Sequence, residues 1–227
     1  MLPDHKIDVF GACETFLNEQ SSELAHINGY KSFFKHRIGR QRGGLAFFVN
    51  DSIPVREVND FDYLYEEMAF EFFAIELDLS PSKVLCCVLY RPPSSAAKQF
   101  VEKFDELSSL MTQRKCKLMM LGDFNIDISN VHRAVNSMLS NNVAVDFVTI
   151  CMSAGLLPTC RIPTRITESS ASLIDNIFTN LETLGCNVIV DDTSDHFTIL
   201  CDLETGPSPK PSSLRSRRLD ATSIDKL

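Results

Sequence analysis

The sequence contains no Cys-x-x-Cys pair, no apolar stretch of transmembrane length, no apolar segment near its start of the secretory kind, and no internal repeat. The first absence excludes a zinc ladder. The eight cysteines (Cys13, Cys86, Cys87, Cys116, Cys151, Cys160, Cys186 and Cys201) sit mostly in apolar runs such as Val84 to Val88 and are expected as buried free thiols. The next two absences point to a nuclear or cytoplasmic, reducing setting with no membrane partner. An excess of positive charge is also lacking: the net charge is −8, which argues against nucleic-acid binding through overall electrostatics alone. A focused site remains possible, because a bound metal and a local basic strip outweigh a distant acidic face.

The 227 residues suffice for one large α/β domain or two small ones, and 44% apolar residues bury a core without staples. One basic strip exists, made of Lys31, Lys35, His36, Arg37, Arg40 and Arg42. It is a candidate DNA-facing surface, although a solvated loop would look the same.

Short apolar strands dominate the chain. They run from Ile7 to Cys13, from Leu45 to Val49 after the turn Arg42-Gly43-Gly44, from Phe73 to Leu79 with strand alternation, and from Val84 to Tyr90. The last must stop at Pro92-Pro93, since proline cannot donate to a ladder. Apolar spacing over Ala97 to Met111 predicts an amphipathic helix, followed by a strand over Lys117 to Leu121 and a second helix from near Arg133 to Ala154. Late strands are expected over Leu173 to Phe178 and His196 to Asp202, with a Pro, Ser and basic linker tail over residues 205–227 after a domain spanning 1–204. Strands outnumber helices without strict alternation, which favours two largely antiparallel sheets with helices outside over a Rossmann sheet.

Polar punctuations end several of these runs: Glu14, Asp123 with Asn125, Asp175, and Asp195 with His196. Strand ends place rigid scaffolding at solvent, and acids, an amide and a histidine gathered there suit a hard cation such as Mg²⁺. Each has an ordinary alternative. Glu14 alone reads as a turn-starting acid, and Gly122-Asp123-Phe124-Asn125 as an Asx turn. Asp175 is the hardest to dismiss, because a carboxylate among Leu173, Ile174, Ile177 and Phe178 needs a partner.

The ordered set Cys13-Glu14-Thr15, Gly43-Gly44, Tyr90-Arg91-Pro92-Pro93, Gly122-Asp123-Phe124-Asn125, Pro163-Thr164-Arg165, Ser172-Leu173-Ile174-Asp175 and Ser194-Asp195-His196 resembles the endonuclease/exonuclease/phosphatase superfamily. Within it, the match is to the apurinic-like endonucleases of non-LTR retrotransposons, over roughly residues 5 to 203. The resemblance implies a DNase-I-like α/β sandwich and Mg²⁺- or Mn²⁺-dependent nicking of DNA, the 3′ hydroxyl then priming reverse transcription. It implies that Glu14 and Asp195 hold the metal, and that Asp123 and Asn125 position the attacking water and the phosphate. Asp175 would orient His196, which contacts the phosphate together with Tyr90.

The family begins with a strand carrying an asparagine, whereas this chain enters directly at what resembles the second strand. Weak nuclease activity, or none, is therefore expected of the chain as written. A catalytically dead remnant or binding module is the alternative reading, and a phosphatase of small phosphate esters a third. The basic tail resembles the start of a connector toward a reverse transcriptase.

Overall fold

A computed structural model describes residues 6–38, 42–131, 142–190 and 194–205. The helix expected from Arg133 falls partly outside these, as do Arg40 and nearly all of the tail.

The largest sheet grows from the alternating apolar runs. Strands β4 (Val55–Glu57), β5 (Glu71–Leu79), β6 (Ser82–Tyr90), β7 (Lys117–Asp123), β8 (Leu157–Pro158) and β11 (Asp175–Thr179) form six strands in the order β4-β5-β6-β7-β11-β8. Neighbours are antiparallel except β6 and β7, which run parallel. A parallel neighbour requires a crossover, and helix α2 (Ala97–Thr112) supplies it. A second sheet has the order β1-β3-β2, from β1 (Val9–Cys13), β2 (Tyr30–Lys35) and β3 (Leu45–Asn50). Strands β9 (Arg165–Ile166) and β10 (Ala171–Ser172) form one ribbon, and β12 (Glu182–Ile189) and β13 (Thr198–Glu204) another. A short helix α1 (Glu19–Ser22) follows β1, and α3 (Val143–Ser153) precedes β8.

Strand alternation sorts the side chains into layers. Phe70, Phe72, Leu85, Cys87 and Leu89 face α2 and α3, where Phe100, Phe104, Phe124, Phe147 and Phe178 form a chain of ring contacts 4.9 to 6.3 Å between centroids. Their alternates, Phe73, Ile75, Cys86 and Val88, pack on Leu45, Phe47 and Val49 of β3 between the sheets. Two mainly antiparallel sheets with helices against the larger one agree with the expected sandwich. No described helix is long and apolar enough to cross a membrane.

Differences from the sequence reading cluster around residues 30 to 44. The basic strip begins as a strand, β2, and three of its charges have internal partners. Lys31 Nζ donates to the Ile53 carbonyl, and Lys35 pairs with Asp62. Arg37 is engaged in a buried ion pair with Glu71, Nε to Oε2 at 3.0 Å, its side chain 5% exposed and that of Glu71 fully covered. Gly43 makes room for it. A Cβ there, at φ +98°, would stand 2.1 Å from the Arg37 guanidinium carbon.

Candidate active site

Three neighbouring strands deliver one residue each to the same end of the large sheet. Tyr90 closes β6 and registers with Asp123, the last residue of β7; Asp123 registers in turn with Asp175, the first residue of β11. Their abreast arrangement follows from where each apolar run stops. The approach of β6 to β7 depends on Gly122, at φ +146°, where a Cβ would lie 1.9 Å from the Leu89 carbonyl oxygen.

His196, in the connection between β12 and β13, reaches this end. Its Nδ1 lies 3.1 and 3.0 Å from the two Asp175 carboxylate oxygens. Asp175 also accepts a 2.8 Å bond from the Thr164 hydroxyl, whose oxygen accepts from the Asp175 N–H at 3.1 Å. This satisfies the half-buried carboxylate that the sequence left in search of partners. Donation from His196 to the Asp175 carboxylate raises the His196 pKa, against burial, which lowers it.

Asp123 is 7% exposed. Its pKa is pushed up to about 7, first by burial and then by the negative charge of Asp175, with the Asn125 N–H opposing. Asn125 adopts φ 47° and folds back on Asp123, its N–H donating to Oδ1 at 2.9 Å and its side-chain amide to Oδ2 at 3.0 Å. Arg91 fixes that loop from beneath, donating through Nε to the Phe124 carbonyl at 2.8 Å and through Nη2 to that of Asn125. Sequence reasoning gave Arg91 and Thr164 no role, although both stood within its motifs. Their function is visible only once β6, β7 and β11 are side by side.

Glu14 follows β1 at φ 52° and acts on both Tyr90 and Asp123. Burial, and then the Glu14 carboxylate at the Tyr90 hydroxyl, push the tyrosine pKa well above its ordinary value. Asp195 stands apart from the cluster in its bonding. Its Oδ2 accepts a 2.8 Å bond from Arg165, which holds the carboxyl below the usual aspartate range.

Among the described residues, Asp123, Asp175 and His196 form a group that could hold a metal ion, with one ligand atom from each lying within 4.8 Å of the others. Within that group His196 and Asp175 are already bonded to each other, so the residue free to face a cation is Asp123. Burial, and then the nearby Asp175 charge, raise its pKa, and a divalent cation beside it would offset both.

The layered sheets with helices outside form a DNase-I-like fold. Solved structures similar to this chain include the endonuclease domain of TRAS1, a telomere-specific non-LTR retrotransposon, with a TM-score of 0.67 and 15% identity over 89% of this chain and 88% of that one. An AP endonuclease from Archaeoglobus fulgidus has a TM-score of 0.64 and 14% identity, covering 89% and 91% of the respective chains. The 3′ phosphatase NExo from Neisseria, bound to product DNA hairpin, has a TM-score of 0.63 and 14% identity over 89% and 91%. No protein-family model matches the sequence, and neither does any curated protein.

Proposed function

We propose that this chain is a metal-dependent DNA endonuclease module of the non-LTR retrotransposon type, hydrolysing a phosphodiester to leave a free 3′ hydroxyl. The observation that carries the reading is the convergence of Tyr90, Asp123 and Asp175 at one sheet end, with His196 anchored on Asp175. A phosphodiester repels an attacking hydroxide, so donors aimed at its non-bridging oxygens are the main need.

With Nδ1 committed to Asp175, His196 keeps Nε2 for the phosphate and is biased to its charged form, which supports developing negative charge. Tyr90 donates its hydroxyl to the same group and keeps that proton because its pKa is raised. Asp123, poised near neutrality and held by Asn125, orients the attacking water and takes its proton. Mg²⁺ or Mn²⁺, when bound, supplies Lewis-acid stabilisation of the phosphate and the departing oxygen. Glu14 and Asp195 would hold it beside Asp123. Asp195 must leave Arg165 to do so, whereas Asp175 and His196 already occupy each other.

A second reading, a binding module that keeps the site without turnover, is favoured by that Arg165–Asp195 bond. Nicking of supercoiled plasmid by the purified chain decides between them. The enzyme reading expects Mg²⁺-dependent nicking, lost with EDTA, with Asp123→Asn and with His196→Ala. Nicking unchanged in both variants would sink it, and DNA binding without any nicking supports the second reading. Release of phosphate from inositol phosphates faster than plasmid nicking would instead assign a phosphatase.

A further inference from the structure

We infer that Cys186 and Cys201 form a reversible disulfide site, which closes into a loop the connection that carries Asp195 and His196. The sequence suggested buried thiols throughout, yet Cys13, Cys116, Cys186 and Cys201 are only partly covered. Of these, Cys186 and Cys201 face each other. They are directly opposed in the register of β12 and β13, in the regular pairing from Gly185 to Ile189 and beyond the irregularity at Thr183. Residues so opposed on antiparallel strands stand about 4.5 or 5.5 Å apart at Cα, with both side chains on one face. A disulfide spans about 4.4 to 6.8 Å between Cα atoms. Either kind of opposed pair is therefore within its reach without a shift of backbone.

The side chains meet where the register puts them. Leu203 packs on the core between the sheets, and Cys201, two residues earlier on the strand, points to the same face. There its Sγ donates to the Thr159 hydroxyl oxygen at 3.1 Å. The Cys186 thiol bonds with Cys201, with Thr159 and with Cys160. Burial, and then the Cys201 thiol, push the Cys186 pKa up to about 11. Such a thiol is slow to attack a disulfide at neutral pH, so proximity rather than acidity drives the pairing. Cys86 and Cys87 make the contrast. They are successive residues of β6, so they point to opposite faces, and both are fully buried.

The oxidant is a low-molecular-weight disulfide such as glutathione disulfide. One protein thiolate attacks it, forming a mixed disulfide and releasing one glutathione thiolate. The second protein thiol, giving up its proton, displaces the other glutathione and forms the bond between Cys186 and Cys201. Two protein thiols are oxidised, one glutathione disulfide becomes two glutathiones, and the two protein protons pass to the departing thiolates. Excess reduced glutathione reverses the exchange.

The test incubates the full chain with excess glutathione disulfide at pH 8, blocks the remaining thiols in urea and maps linked peptides by mass. Free thiols should fall from eight by two per chain, through a Cys186–Cys201 linkage that dithiothreitol removes. The urea midpoint should rise by about 1 M, because the crosslink constrains the unfolded chain over residues 187–200. Cys186→Ser should abolish that rise, whereas Cys160→Ser should keep both linkage and rise. Should either variant fail to fold, mapping and midpoint on the unaltered chain still decide. A full set of free thiols, a linkage between Cys160 and Cys186, a mixed disulfide that persists, linkage only between separate chains, or a lower midpoint on oxidation overturns the proposal. None of these readouts depends on nicking, so they stand or fall apart from the nuclease reading.

Discussion

At Asp123 the stability and the proposed chemistry of the site pull in opposite directions. Its carboxyl is pushed up to about 7 by burial and by Asp175, whereas the unfolded chain ionises it near the ordinary aspartate value. Between those two pH values the folded state holds the extra proton. The contribution of Asp123 to stability therefore falls as pH rises from about 4 to about 7, by roughly 2 to 4 kcal/mol, and is flat beyond. Metal-free Asp123→Asn should accordingly gain stability relative to the parent chain as pH rises through that window, while losing any nicking. Urea unfolding in EDTA at pH 4.5 and pH 8 checks this; a pH-independent difference between the two proteins would refute it. His196 also shifts upward, but there the shift favours the charged form: Asp175 raises its pKa, so its pairing contributes below the ordinary histidine value and is lost as pH climbs through the folded one. Asp175→Asn should move the His196 titration, followed by NMR on metal-free protein, to lower pH. No downward movement would mean that the bond to Asp175 is not what holds the proton.

At the scale of elements, the segment joining β2 to β3 is tied to β5 through Arg37 and Glu71. Glu71 accepts from Arg37 Nε and from the Met68 N–H at 2.9 Å. Removing one partner strands the other as a buried charge, so Glu71→Ala should cost about 3 to 5 kcal/mol in urea unfolding. The double variant Arg37→Met with Glu71→Leu should recover most of that loss; a cost below about 1 kcal/mol for Glu71→Ala would show the pair to be well solvated. This pair also shows where the sequence stops being legible. Periodicity located β5, β6, α2 and β7, because each buries a face whose pattern is local. It missed β12, whose residues Glu182, Thr183 and Leu184 are exposed and carry no alternation strong enough to notice. It left Arg37 in a strip that was either a candidate DNA-facing surface or a solvated loop, because a buried ion pair with a residue 34 positions away leaves no local trace. The candidate site was readable as an ordered set of strand-end residues. Their mutual geometry was not, since it depends on the register of β6, β7 and β11.

The molecule as a whole carries a net charge of −8, and three charges of its most conspicuous basic run, Lys31, Lys35 and Arg37, are engaged by Ile53, Asp62 and Glu71. At the candidate site a duplex meets the carboxylates of Glu14, Asp123, Asp175 and Asp195, which release no counterions from its phosphates. The metal-free protein should bind DNA poorly even where sequence-independent binding is usually easy. A divalent ion reverses the local sign without altering the distant acidic face, because the largest charge in a small site dominates its field. Affinity for a fluorescent 20-base-pair duplex, measured by anisotropy at 50 mM salt with Asp123→Asn and His196→Ala combined to stop cleavage, should thus rise at least about tenfold when Mg²⁺ replaces EDTA. The salt slope should remain shallow in both conditions, corresponding to about two or three neutralised phosphates. A control duplex in Mg²⁺ with an unrelated acidic protein of similar charge separates this effect from metal bound to the DNA alone. Equal affinity in EDTA and Mg²⁺, with a steep salt slope, would place DNA on a basic surface elsewhere, and the acids at the sheet end would then have to act on a different phosphate.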